Sequence, residues 1–91
     1  MKQGLYTVTE NNQLTPTTWR MKLEGDVSSI TAPGQFINIK LDGHFLRRPI
    51  SVCDISEDEV TIIYKVLGKG TEEMTHLPSE TTLDILTGLG N

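Results

Sequence analysis

The residues whose types and spacing could do chemistry fall in two short stretches. The first is Arg47-Arg48-Pro49-Ile50-Ser51. A guanidinium binds a phosphate or carboxylate in a forked geometry, and Ser51 adds a hydroxyl that can donate or accept. A basic pair on an exposed strand edge accounts for the same residues without a ligand. The second stretch is Gly68-Lys69-Gly70-Thr71, running into a short helical pattern. Glycines let backbone approach a ligand closely, and a helix start offers free N–H groups to phosphate. A plain turn followed by a cap would read the same way. Glu72 and Glu73 favour that plainer reading, because they complement the helix dipole and would repel a dianion unless they point away. The spacing is not that of a Walker A loop.

Both stretches lie in carboxylate-free sequence within an acidic chain. His44–Cys53 holds no Asp or Glu, nor does Val60–Thr71, and Arg47, Arg48, Lys65 and Lys69 supply half of the eight bases. If the strand over Glu59–Leu67 pairs with the one over Ile50–Cys53, the two basic stretches become neighbours, and an anionic ligand at one end of a barrel is reasonable. The other reactive types suggest less. Cys53 reads as a small buried hydrophobe, Trp19 as core or barrel closure, and His44 and His76 as solvated residues near turns. No Ser–His–Asp spacing is present.

The elements that must position these residues belong to one small domain. The chain has 91 residues, 36% hydrophobic and 22% charged, which suits a globular fold with a modest core. A net charge of −4 argues against a nucleic-acid binder. One cysteine excludes an internal disulfide and any all-cysteine metal or iron–sulfur site within the chain. The sequence shows no membrane-spanning run and no signal peptide, so the expected location is cytoplasmic.

Short β-rich runs between turn signals dominate. Strands are expected over Leu5–Glu10, Thr17–Glu24, Gln35–Leu41, Phe45–Asp54, Glu59–Leu67 and Thr82–Leu86. Turns are expected at Asn11-Asn12-Gln13, at Pro33-Gly34 (type II) and at Asp42-Gly43, with the acids between Asp54 and Glu59 forming a solvated turn. Pro49 should lie at a strand start or an edge. Thr71–Leu77 reads as one or two helical turns with Thr71 as N-cap, ended by Pro78. Thr87–Asn91 reads as a glycine-rich tail. The fold class is all-β: a six-stranded antiparallel Greek-key barrel with one short helix.

In order, Pro33-Gly34-Gln35-Phe36, Arg47-Arg48-Pro49-Ile50-Ser51, Ile63-Tyr64-Lys65-Val66, Gly68-Lys69-Gly70-Thr71 and Leu86–Asn91 resemble the FAD-binding barrel of the ferredoxin-reductase superfamily. Within it the chain looks most like the electron-transfer subunits of NAD-linked (class B) dihydroorotate dehydrogenase. The resemblance implies FAD in an extended pose across the barrel. Arg48 would contact the diphosphate, Ser51 would approach the flavin ring, and Pro49 and Ile50 would line the isoalloxazine. Tyr64, Lys65 and Val66 would follow the ribityl and adenylate side. Gly70 and Thr71 would hold the diphosphate.

The resemblance also implies a role in passing electrons between flavin, an iron–sulfur centre and NAD in pyrimidine synthesis, with a catalytic dihydroorotate dehydrogenase subunit as partner. The family's [2Fe–2S] cluster has no ligands here. Residues 1–87 are expected to form the FAD-binding domain and 88–91 to begin a linker to a nucleotide-binding domain. Three other readings accompany this one: a dimerisation or subunit-interaction module without flavin, a ferredoxin–NADP reductase subunit, and a riboflavin-synthase-like barrel.

Overall fold

A computed structural model describes residues 2–41, 43 and 47–89. Expectations placed on Asp42, His44, Phe45, Leu46, Gly90 and Asn91 lie outside the described residues.

Alternation of apolar and polar residues builds the strands, because successive side chains of an extended chain point to opposite faces. They are β1 (Lys2–Gln13), β2 (Thr18–Glu24), β3 (Phe36–Ile39), β4 (Arg48–Ser56), β5 (Glu59–Lys65) and β6 (Thr82–Leu89), with one helix, α1 (Lys69–Met74). All pairings are antiparallel, and the strands close a barrel in the order β1-β2-β5-β4-β3-β6. The fold class expected from the sequence is the one observed. The barrel interior is filled from alternate positions: Val8 on β1, Met21 and Leu23 on β2, Ile37 and Ile39 on β3, Val60 and Ile62 on β5, and Ile85 on β6 are all fully buried. Met74 of α1 is fully buried with them, so the helix is anchored to the core by one side chain. Trp19 packs against the core half-buried.

Two bulges change what the simple alternation predicts. One lies between Val8 and Glu10 on β1. Val8 faces Leu23 across the ladder and Asn11 faces Met21, so the extra residue carries Asn11 onto the core side. The strand therefore runs straight through Asn11–Gln13, where a turn was expected. The reversal comes at Leu14–Thr17, where Leu14 N–H bonds Thr18 O at 2.8 Å. The other bulge lies between Val52 and Asp54 on β4. It turns Asp54 outward and brings Ile55, opposite Val60, to the core side. Cys53, read from its residue type as a small buried hydrophobe, is exposed.

Other boundaries shift for local reasons. β4 continues to Ser56, so the acidic turn narrows to Glu57-Asp58. β5 stops at Lys65, and Val66 N–H bonds Thr17 O at 2.8 Å. β6 runs on through Thr87 and Gly88 to Leu89. Gly34 has φ of 95°, the left-handed geometry a type II turn requires after Pro33, and its N–H bonds Val52 O at 2.9 Å. Pro49 stands one residue inside the start of β4, where its missing N–H is tolerated.

The helix starts earlier than expected, and Thr71 is not its N-cap. Gly68 is the N-cap, and Thr71 sits three residues on. The Thr71 hydroxyl reaches back to accept the N–H groups of Leu67 at 2.9 Å and Gly68 at 3.1 Å. Beyond Met74 the chain tightens. Thr75, His76 and Leu77 N–H groups bond the carbonyls three residues before them.

Candidate functional site

The pairing of β4 with β5 brings the two motif-bearing stretches to one end of the barrel. On β4, Arg48 lies opposite Ile39 and Ile50 opposite Ile37, both fully buried partners. Arg48 and Ile50 thus share the inward parity, and both are half-buried. Pro49 and Ser51 take the outward parity and are exposed, with Ser51 opposite Phe36. Phe36 is 47% exposed and Ile63, on the neighbouring β5, is 42% exposed. The outer face beside Ser51 therefore carries apolar surface next to a hydroxyl, a setting that suits a flat conjugated ring.

The two arginines part company. Arg47 belongs to barrel closure: its Nη1 donates to Asp84 O at 3.1 Å and its Nη2 to Asp84 Oδ1 at 3.0 Å. The hydrogen bond from Gln3 Nε2, at 2.8 Å, and the Arg47 pair hold the Asp84 carboxyl below its ordinary range. Arg48 points instead under α1. A β-carbon on Gly70 would run into Arg48 Nε and come within 2.9 Å of Cζ. Gly70 is buried, so the guanidinium fills space that only a glycine leaves open. Among the described residues, Arg48 Nε is the one buried side-chain polar atom without a hydrogen-bond partner. A buried N–H left unpaired is costly, which makes it a donor ready for an incoming acceptor.

Tyr64, Lys65 and Val66 divide by parity. The Tyr64 ring is 2% exposed, and its hydroxyl donates to Asn11 Oδ1 at 2.8 Å. Burial pushes this phenol up to about 12, with the Asn11 bond opposing the shift. Lys65 is exposed and Val66 half-buried, so the polar side chain this end of β5 presents outward is the lysine. Thr71 is half-buried, and its hydroxyl is engaged in the helix cap.

One residue of this neighbourhood was not singled out from the sequence. Asn11 Nδ2 donates to Met74 O at 2.8 Å and to Leu77 O at 3.1 Å, joining β1 to the end of α1. Its signal in the sequence was an asparagine following a strand pattern, which reads as a turn unless the β1 bulge is known. A cleft of about 340 Å³ is lined by Leu5, Leu41, Leu77, Leu83 and Asp84 among others, and it shares no residue with Arg48–Ser51. No helix among the described residues is long and apolar enough to cross a membrane.

Comparison with known proteins bears on the barrel as a whole. No family model matches the chain. The electron transfer subunit of dihydroorotate dehydrogenase B (NAD(+)) from Fusobacterium nucleatum is 43% identical over 90 residues, covering 92% of this chain and 35% of the relative. The Enterococcus faecalis and Bacillus velezensis subunits of the same name are 40% and 35% identical over 99% and 100% of the chain, and 36% and 38% of their own lengths. The chain thus spans about a third of the curated relatives it matches.

Among solved structures, an NADH-dependent reduced ferredoxin-NADP oxidoreductase described in work on flavin-based electron bifurcation superposes with a TM-score of 0.85. It is 27% identical, over 97% of this chain and 33% of its own. A flavohemoglobin from Malassezia yamatoensis with bound FAD and heme shares the fold at a TM-score of 0.69 and 17% identity, over 100% of this chain and 26% of its own. Over nearly its whole length, this closed barrel is similar to a part, about a third, of the electron transfer subunits of dihydroorotate dehydrogenase B.

Proposed function

We propose that this barrel is a flavin-binding module that takes FAD in an extended pose. The observation that carries the reading is the unpartnered, buried Arg48 Nε set against Gly70. A diphosphate there would supply the missing acceptor, with the Arg48 guanidinium, the Gly70 backbone and Thr71 around it. Pro49, Ile50 and Ser51 would border the isoalloxazine on the outer face beside Phe36, with Ser51 near enough to the ring to bias its reduction. Lys65 and Val66 would follow the ribityl and adenylate side, and Tyr64 would support them from within the barrel.

When bound, FAD supplies one- and two-electron transfer, while the protein supplies position and charge. Arg48 would hold negative charge in place, and the apolar outer face would keep water from one side of the ring. By homology, the complete protein would pass electrons between a dihydroorotate dehydrogenase catalytic subunit and NAD, through an iron–sulfur centre bound outside these residues.

The test is an absorption and fluorescence titration with FAD, FMN and riboflavin in parallel. Saturable binding that prefers FAD is the expected result. Absence of binding to all three would overturn the reading for this chain and favour a subunit-interaction role.

A further inference from the structure

We infer that Asn11 is a positioning residue: from inside β1 it clamps the end of α1 and so keeps Gly70 seated on Arg48. The inference rests on the flavin reading for its functional consequence, but not for its structural content.

The helix cannot hold itself in place. It spans six residues, too few to be stable alone. Its buried side-chain anchor is Met74, and its start is closed by the local Thr71 cap, which fixes the turn but not its place on the barrel. Asn11 Nδ2 ties its far end to the barrel by bonds to Met74 O and Leu77 O. Asn11 is itself fixed in one orientation. Its Oδ1 accepts the Tyr64 hydroxyl, so its two N–H donors face the helix carbonyls, and the flipped amide would set oxygen against oxygen. The chain of contacts runs from Tyr64 through Asn11 to the helix end, and along one rigid turn to Gly70 and the guanidinium. A loosened helix end would let Gly70 ride away from Arg48, on the phosphate side of the proposed ligand and not on the ring side.

The experiment compares Asn11→Ala, Tyr64→Phe and a core control, Ile85→Val, with the parent chain by nitrogen-15 NMR and by flavin titration. The Gly70 amide and Arg48 Nε–H resonances should move in Asn11→Ala, move less in Tyr64→Phe, and stay in place in the control. Affinity for FAD should fall about tenfold in Asn11→Ala, while affinity for riboflavin, which lacks phosphate, should change by less than about twofold. Resonance changes confined to residues 74–77, or an equal shift in the control, would overturn the inference. Equal losses for FAD and riboflavin would also overturn it. If Asn11→Ala does not fold, Tyr64→Phe decides, and unmoved Gly70 and Arg48 signals would sink the idea. If the parent binds no flavin, the flavin reading fails while the resonances still judge the clamp.

Discussion

Arg48 and Gly70 occupy each other's space: the guanidinium lies where the β-carbon of any other residue at position 70 would stand. Gly70→Ala should therefore separate binding from stability. Alanine gains up to about 1 kcal/mol of helix propensity over glycine, and a flexible arginine can move aside. Thermal unfolding should show little change, or a small rise, while FAD affinity drops about tenfold as Arg48 is displaced. Unchanged FAD affinity would show that the contact plays no part in binding.

Arg48 itself should trade stability for binding. Arg48→Ala should weaken FAD binding by about 1.5–3 kcal/mol if the guanidinium makes a charge-assisted bond to the diphosphate. Arg48→Met should lose binding to a similar extent and unfold at higher denaturant than the ligand-free parent, because it removes a buried donor that has no partner. A lower unfolding midpoint for Arg48→Met would show that the unpaired Nε costs the fold nothing.

The neighbouring arginine should behave in the opposite way. The bonds from Gln3 and Arg47 depress the Asp84 carboxyl, so the folded state favours its charged form. That stability is present above the unfolded carboxylate value and is lost as pH falls through the lower folded value. Asp84→Asn should show a shallower fall in stability between about pH 5 and 3 than the parent, measured by urea unfolding. Asp26 is depressed as well, through Lys2, so some slope should remain. Arg47→Ala should leave FAD affinity within about twofold, since Arg47 faces β6 and not α1.

The alternating strands were legible because apolar side chains must fall on one face; Val60, Ile62 and Tyr64 do so without exception. The bulges were not legible. They follow from how two strands pair, and each reverses the parity after it, which is why Asn11 turned inward and why Ile55, and not Asp54, lies on the core side. The motif residues were found by type, and the structure separates them by direction. Arg47 and Arg48 are adjacent in sequence, yet only Arg48 meets the glycine-rich stretch. The cap was misplaced because a threonine three residues inside a helix can reach back over a glycine, which has no side chain to reveal the start.

Tyr64 gives the alkaline counterpart. Burial raises its phenol to about 12 from an ordinary value of 10.0, so the fold favours the neutral form. Its contribution is complete below pH 10.0 and is lost as pH rises toward about 12. Tyr64→Phe should be less stable at neutral pH by about 1 kcal/mol, for the lost bond to Asn11, yet show a flatter decline above pH 10. Tyr6 is also raised, so the slope should not vanish. Equal slopes in parent and variant would exclude Tyr64 as a source of alkaline instability.

The ring formed by β1-β2-β5-β4-β3-β6 has a consequence for recognition. Among the described residues every strand has a hydrogen-bonded neighbour on each side over part of its length, with β6 joining β1 to β3, so no strand presents a free edge along its whole length. Another polypeptide therefore finds no whole strand edge to extend by adding a strand, a route that reads backbone and tolerates many sequences. It must instead read the barrel's outward side chains and loops, so selectivity among partners resides in a few replaceable residues while the scaffold stays fixed.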